Sequence, residues 1–109
     1  MKLMLVIVQS EDASDLLDQL TRREYRATRI NTAGGFLKSG NVTIFLGVED
    51  DQIVDVCEII QQNCRTRSQL VTSIPSTLGP DALLLVEPVE VEIGGATIFV
   101  LEVDEYVRL

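Results

Sequence analysis

The sequence predicts an α+β domain with one mostly antiparallel sheet and two helices packed on one of its faces. Three observations carry that expectation. Extended and helical patterns follow one another as strand, helix, strand, strand, helix, strand, strand. Two segments repeat apolar residues at helical spacing, each wide enough for a single buried stripe. The first strand is apolar on both of its faces, so it belongs at the centre of a sheet.

Leu3–Val8 is an unbroken apolar run, ended by Gln9, Glu11 and Asp12. Too short for a signal h-region and with no small-residue cleavage site behind it, it reads as a buried strand. Asp12 offers a helix cap, and Ala13, Leu16, Leu17 and Leu20 share one face of a helix running to about Glu24. Tyr25–Thr32 alternates like a strand. A loop with three glycines follows from Ala33 to Asn41, and Val42–Val48 resumes as a strand. Glu49, Asp50 and Asp51 put negative charge at the start of a second helix, where the dipole favours it. Its buried stripe is Ile53, Val56, Cys57, Ile60 and Cys64, and it ends near Asn63 or Cys64.

From Arg65 to about Asp81 the chain reads as a long connection, followed by the apolar stretch Leu83–Val86 and a kink at Pro88. Val89, Val91 and Ile93 alternate with Glu90 and Glu92, the pattern of a half-buried strand. Gly94-Gly95 is then expected to form a tight hairpin into Ala96–Val103. The order is that of a ferredoxin-like βαββαβ core, a split βαβ arrangement, with an extra C-terminal β-hairpin strand. Two helices cover one sheet face, and the apolar residues of Leu3–Val8 point to both. Self-association is the expected cover for the other.

With 109 residues, 46% of them hydrophobic, the chain is long enough for one domain over residues 1–109 and too short for two. It has no histidine, which removes the usual general base and His-based triads and metal sites. No set of residues supplies a base, a nucleophile or a metal centre, so an enzyme is not expected. Cys57 and Cys64 lie on one helix about 10 Å apart, too far for a disulfide, and two thiols alone make a poor zinc site. Free thiols suit a reducing cytoplasm. No stretch approaches the ~20 apolar residues that span a bilayer.

The net charge is −8, yet five of the nine basic residues, Arg22, Arg23, Arg26, Arg29 and Lys38, fall in one segment. Overall acidity disfavours long nucleic acid. The local cluster reads either as a solvated basic strand or as a pocket for a small anion, where guanidinium forks and loop N–H groups suit phosphate oxygens. The glycine-rich loop is neither a Walker P-loop nor a GxGxxG turn. It holds two apolar residues, Phe36 and Leu37, that could stack on a flat ring or equally serve as an interface loop or hairpin plug. The Asn41 amide has the donor and acceptor needed to read an adenine edge.

The chain resembles the PII-like cyclic-di-AMP receptors over essentially its whole length. The resemblance is carried by Val8-Gln9, Arg26-Ala27-Thr28, the run Thr32 to Asn41 (TAGGFLKSGN), Gly47-Val48, and the run Pro88 to Val100 (PVEVEIGGATIFV). It implies a homotrimer with one ligand site at each subunit boundary, no cofactor, and no turnover of the ligand. It assigns Arg26 and Thr28 to the phosphate and ribose side, Gly35 and Gly47 to close backbone approaches, Phe36 and Leu37 to the base-pocket walls, Asn41 to the adenine, and Phe99 to the subunit boundary. Arg108 stands where relatives can carry glutamine, and would pair with a phosphate or leave the site. The loop around Gly34 to Asn41 would belong to the family's T-loop and Arg65 to about Glu87 to its B-loop, from which an unknown downstream protein would read occupancy. A PII-like sensor of another anion, such as ATP or ADP, is the alternative.

Overall fold

A computed structural model of the chain describes residues 1–30, 40–71 and 89–109. Six strands and two helices are ordered β1 (Lys2–Gln9), α1 (Ser10–Arg22), β2 (Ala27–Ile30), β3 (Asn41–Val48), α2 (Ile53–Cys64), β4 (Arg67–Val71), β5 (Val89–Ile93) and β6 (Ala96–Glu102). The main sheet has the order β2-β3-β1-β6, with every neighbouring pair antiparallel. This is the ferredoxin-like arrangement that the order of elements predicts, with β6 taking the place of its fourth strand.

The core lies between this sheet and the helices. Met4, Val6 and Val8 of β1 alternate with Leu3, Leu5 and Ile7, and only the even-numbered set is fully buried. Val42, Ile44, Leu46 and Val48 of β3 bury in the same phase. Against them pack Ala13, Leu16 and Leu20 of α1 and Val56, Ile59, Ile60 and Cys64 of α2. Each buried Val, Leu, Ile or Met side chain among them contributes about 1.5–3 kcal/mol of transfer free energy. Of the expected stripes, Leu17, Ile53 and Cys57 lie half-buried at the margin, and Ile59 is an addition.

Helix entry differs from the sequence reading at α1. The helix begins at Ser10 with Gln9 at the cap position and no side-chain cap bond, so Asp12 sits inside the first turn and is free for another task. Its C-terminal end is Arg22. Glu24 then turns the chain with φ at 64°, a left-handed conformation that is costly outside glycine. Before α2, one 3-10 turn over Asp50–Gln52 is closed by a capping box: Glu49 N–H donates to Gln52 Oε1 at 2.9 Å, and the Glu49 side chain accepts from the Gln52 N–H.

Two features correct the expectations for the second half of the chain. Arg67–Val71, read as part of a long connection, is a strand, and it pairs with β5 in a separate antiparallel ribbon. Consequently Gly94-Gly95 does not close a hairpin between β5 and β6: β5 pairs with β4, while β6 pairs with β1. The physical reason is edge satisfaction. Without β6 the apolar β1 would present an open edge to water, whereas β5, with Glu90 and Glu92, tolerates a solvated two-stranded ribbon. The glycines turn the chain between the two sheets, with φ of +83° and +84°. The stretch Leu83–Val86 and the expected kink at Pro88 lie outside the described residues.

Among the described residues, none covers the sheet face away from the helices. Cross-strand rows on it run Thr28, Phe45, Leu5, Phe99 and, beside them, Ile30, Thr43, Ile7, Thr97, with Leu3 opposite Leu101. Phe99 is 50% and Leu101 44% exposed.

Candidate functional site

Asn41, the first residue of β3, stands opposite Gln9, the last of β1. The two line a concave pocket of about 300 Å³ with Ile7, Gly94, Gly95 and Thr97. Its volume is at the low end of ligand pockets, enough for one base or one end of a larger ligand. Gly94 N–H donates to Gln9 Oε1 at 2.8 Å. Ser10 N–H donates to the Gly40 carbonyl at 2.6 Å, which ties the residue before Asn41 to the start of α1.

The other expected site residues are placed elsewhere. Arg26 is exposed and lines a second hollow of about 470 Å³ with Thr21, Glu24, Tyr25 and Ala27. Thr28 faces the open side of the sheet opposite Phe45, and Gly47 lies two residues further along β3. From Gly47 to Asn41 is six residues of one strand, about 20 Å. Phe99 shares the cross-strand row of Thr28 but is three strands away, about 14 Å. Arg108 is exposed on the segment after β6. Gly35, Phe36 and Leu37 lie outside the described residues. The described candidates are therefore not brought together within the chain: Arg26, Thr28 and Gly47 sit toward one end of the β2–β3 edge and Asn41 at the other.

Two groups that sequence patterning did not single out shape these regions. Asp55, in the first turn of α2, accepts from Tyr25 Oη at 2.6 Å and from Arg23 Nη2 at 2.6 Å. This clamp fixes the chain as it enters β2, one residue before Arg26. Donation to Asp55, reinforced by partial burial, raises the Tyr25 phenol above its ordinary pKa. With Arg22 also paired to Asp18 at 3.1 Å, two of the five clustered basic residues are committed to carboxylates within the subunit.

The second group is an ion pair at the root of the ribbon. Asp12, 6% exposed, receives a forked bond from Arg67, with Nη2 to Oδ1 at 2.8 Å and Nη1 to Oδ2 at 3.3 Å. The hydrogen bond to Asp12 holds the Arg67 guanidinium still further above its ordinary pKa. Beside the pair, burial and then the Asp12 charge push the Cys64 thiol up to about 11, so it stays protonated. Cys57 and Cys64 are both free, as their spacing on one helix requires. Among the described residues no group of three or more His, Cys, Asp or Glu is placed to hold a metal ion, and no helix is long and apolar enough to cross a membrane.

The fold and the element order place the chain in the class of small ferredoxin-like α+β domains, here with a polar, glycine-lined pocket and an exposed arginine. Comparison with known families narrows the class. The chain matches the cyclic-di-AMP receptor family model over residues 1–109 and belongs to that family. Among solved structures it is similar to a functionally unknown protein from Pediococcus pentosaceus ATCC 25745. The two are 39% identical with a TM-score of 0.75, over 99% of this chain and 96% of that one.

Proposed function

We propose that this protein is a cytoplasmic receptor that binds cyclic-di-AMP at the boundaries between copies of a homotrimer. It holds the ligand without turning it over and passes occupancy to a downstream protein through residues 34–41 and 65–87. Family membership over the full chain supports the ligand. The observation that supports the assembly is the division of the described candidate residues: they lie at opposite ends and edges of the sheet, around an apolar face that no described element covers. A second copy laid on that face would bury it and bring its Phe99 toward the first copy's Arg26 and Thr28.

In this reading the Arg26 guanidinium forks onto a phosphate and Thr28 donates its hydroxyl to the sugar-phosphate side. Gly47 lets the ligand approach the backbone, because a side chain there would occupy the space in front of the strand. Phe36 and Leu37 wall the base, and the Asn41 amide reads adenine through paired donor and acceptor. Arg108 supplies further positive charge. Relay requires that the ligand bind one arrangement of the loops more tightly than another.

Calorimetric titration with cyclic-di-AMP, and with cyclic-di-GMP, ATP and ADP as comparators, tests the proposal. Saturation by cyclic-di-AMP alone near one ligand per chain, weakened at least tenfold by Asn41→Ala, is the expected result. A response to ATP or ADP without one to cyclic-di-AMP would replace it with a PII-like sensor of another anion.

A further inference from the structure

The Asn41 pocket and the β4–β5 ribbon share a set of contacts that nothing in the ligand reading requires. Gln9 lines the pocket, and its Oε1 is engaged by the Gly94 N–H. That N–H can only donate, so the amide is held with its oxygen on Gly94 and its NH2 group left for other acceptors. Gly94 in turn is fixed in place. A Cβ there would lie 2.3 Å from the Arg65 carbonyl oxygen and 2.7 Å from Arg67 Nη1, and the φ of +83° suits glycine. Arg67 Nη1 also donates to the Arg65 carbonyl at 3.2 Å, and the same guanidinium forks onto the buried Asp12. Gly95 N–H donates to the Cys64 carbonyl at the end of α2. An unbroken series of contacts thus runs from Asp12 through Arg67 and Gly94 to Gln9, and ends opposite Asn41.

We propose that Gln9 couples occupancy of the Asn41 pocket to the docking of the β4–β5 ribbon, rather than serving only as a wall of the pocket. The inference rests on the receptor reading above. A ligand acceptor that draws on the Gln9 NH2 group finds it positioned only while Oε1 remains on Gly94. Binding therefore favours the docked ribbon root over one in which Gly94 has moved away, and these two arrangements are the states the ligand distinguishes. Polarisation of the amide by a ligand acceptor strengthens the bond to Gly94 in the same direction. Since the strands of the ribbon bracket residues 72–88, its docking is a means by which a bound ligand reaches that part of the chain. The coupling is reciprocal: loosening the root weakens the ligand by the same factor that the ligand tightens the root.

The test is amide hydrogen exchange of residues 67–71 and 89–93 in the full chain, with and without saturating cyclic-di-AMP, alongside calorimetry on the same samples. In the wild type the ligand slows exchange of the ribbon about fivefold or more. Gln9→Met still binds through Asn41 but shows no ligand-induced slowing. Gln9→Glu keeps an acceptor for Gly94, so its exchange without ligand matches wild type, yet the ligand increment is gone because it has no NH2 to offer. Arg67→Met weakens cyclic-di-AMP about fivefold in the wild-type background and has no further effect in Gln9→Met. An increment that survives in either Gln9 variant overturns the coupling, as does an Arg67→Met effect that adds fully. Loss of all binding in both Gln9 variants would make Gln9 a plain ligand contact and also overturns it. Wild-type binding without ribbon slowing defeats this inference alone, whereas no wild-type binding defeats the receptor reading beneath it.

Discussion

Replacing Phe99 with aspartate should dissolve the assembly while leaving the subunit folded. Phe99 lies on the sheet face opposite the helices and is 50% exposed, so it contributes little to the core. A phenylalanine buries about 200 Å² when fully enclosed, which leaves about 100 Å² for a neighbour to cover. At about 25 cal/mol per Å² this is worth ~2.5 kcal/mol per subunit, or ~7.5 kcal/mol for a closed ring of three. With 1.4 kcal/mol per decade, Phe99→Asp weakens the trimer by roughly five orders of magnitude, before counting the cost of desolvating the carboxylate. Light scattering after size exclusion should report a trimer for the wild type and a monomer for Phe99→Asp at micromolar concentration. Far-UV circular dichroism should stay native. Val54, 69% exposed on α2, provides the control, since Val54→Asp should keep the trimer mass. A trimer that persists in Phe99→Asp would mean that the open face is not the interface, and a wild-type monomer would remove the assembly altogether.

The ion pair at the ribbon root should respond asymmetrically. Arg67→Met leaves a buried carboxylate without its cation, and costs ~2 kcal/mol rather than the 3–5 of a fully buried pair, because Arg67 is 36% exposed and Asp12 keeps the favourable start of α1. Asp12→Asn leaves the guanidinium partly in water and costs ~1 kcal/mol; urea midpoints at one protein concentration measure both, and the reverse order would contradict the burial argument. Cys64 should resist alkylation: a thiol raised from 9.0 to about 11 holds about 100-fold less thiolate at pH 8, so iodoacetamide should react at least that much more slowly in the folded protein than in urea. Because the folded pKa is the higher one, the thiol's contribution to stability is intact below about pH 9 and is lost as pH rises through about 11. Cys64→Ala should remove that alkaline limb, and its persistence would assign the limb to other groups.

The elements that carry a periodic signal were legible from sequence, and those that depend on a distant partner were not. Val56, Ile60 and Cys64 sit on one buried stripe, as their spacing requires, and β1 is central as its two-sided apolarity demands. By contrast Arg67, Ser68 and Gln69 show no alternation. They form a strand because β5 lies opposite, and because Arg67 finds its counter-charge on Asp12, 55 residues earlier. The expected hairpin at Gly94-Gly95 was a local inference. It gave way to the larger gain of closing the edge of β1 with β6. At the candidate site Asn41 was identifiable by its amide, whereas Gln9 gained meaning only when the register placed it beside Asn41 and the turn placed Gly94 on its oxygen.

The position of β1 between β3 and β6 also governs how the chain can acquire its structure. Leu3 pairs with Leu101, 98 positions away, and Val103 N–H donates to the Met1 carbonyl. Half the hydrogen-bonding capacity of the central strand is thus withheld until β6 has been synthesised, and closing so long a loop must precede the contacts that reward it. During translation β1, α1, β2 and β3 can meet, but the nascent sheet keeps an unpaired apolar edge until almost the whole chain has left the ribosome. Folding is therefore a late event, completed only when the last strand of the sheet has docked beside β1.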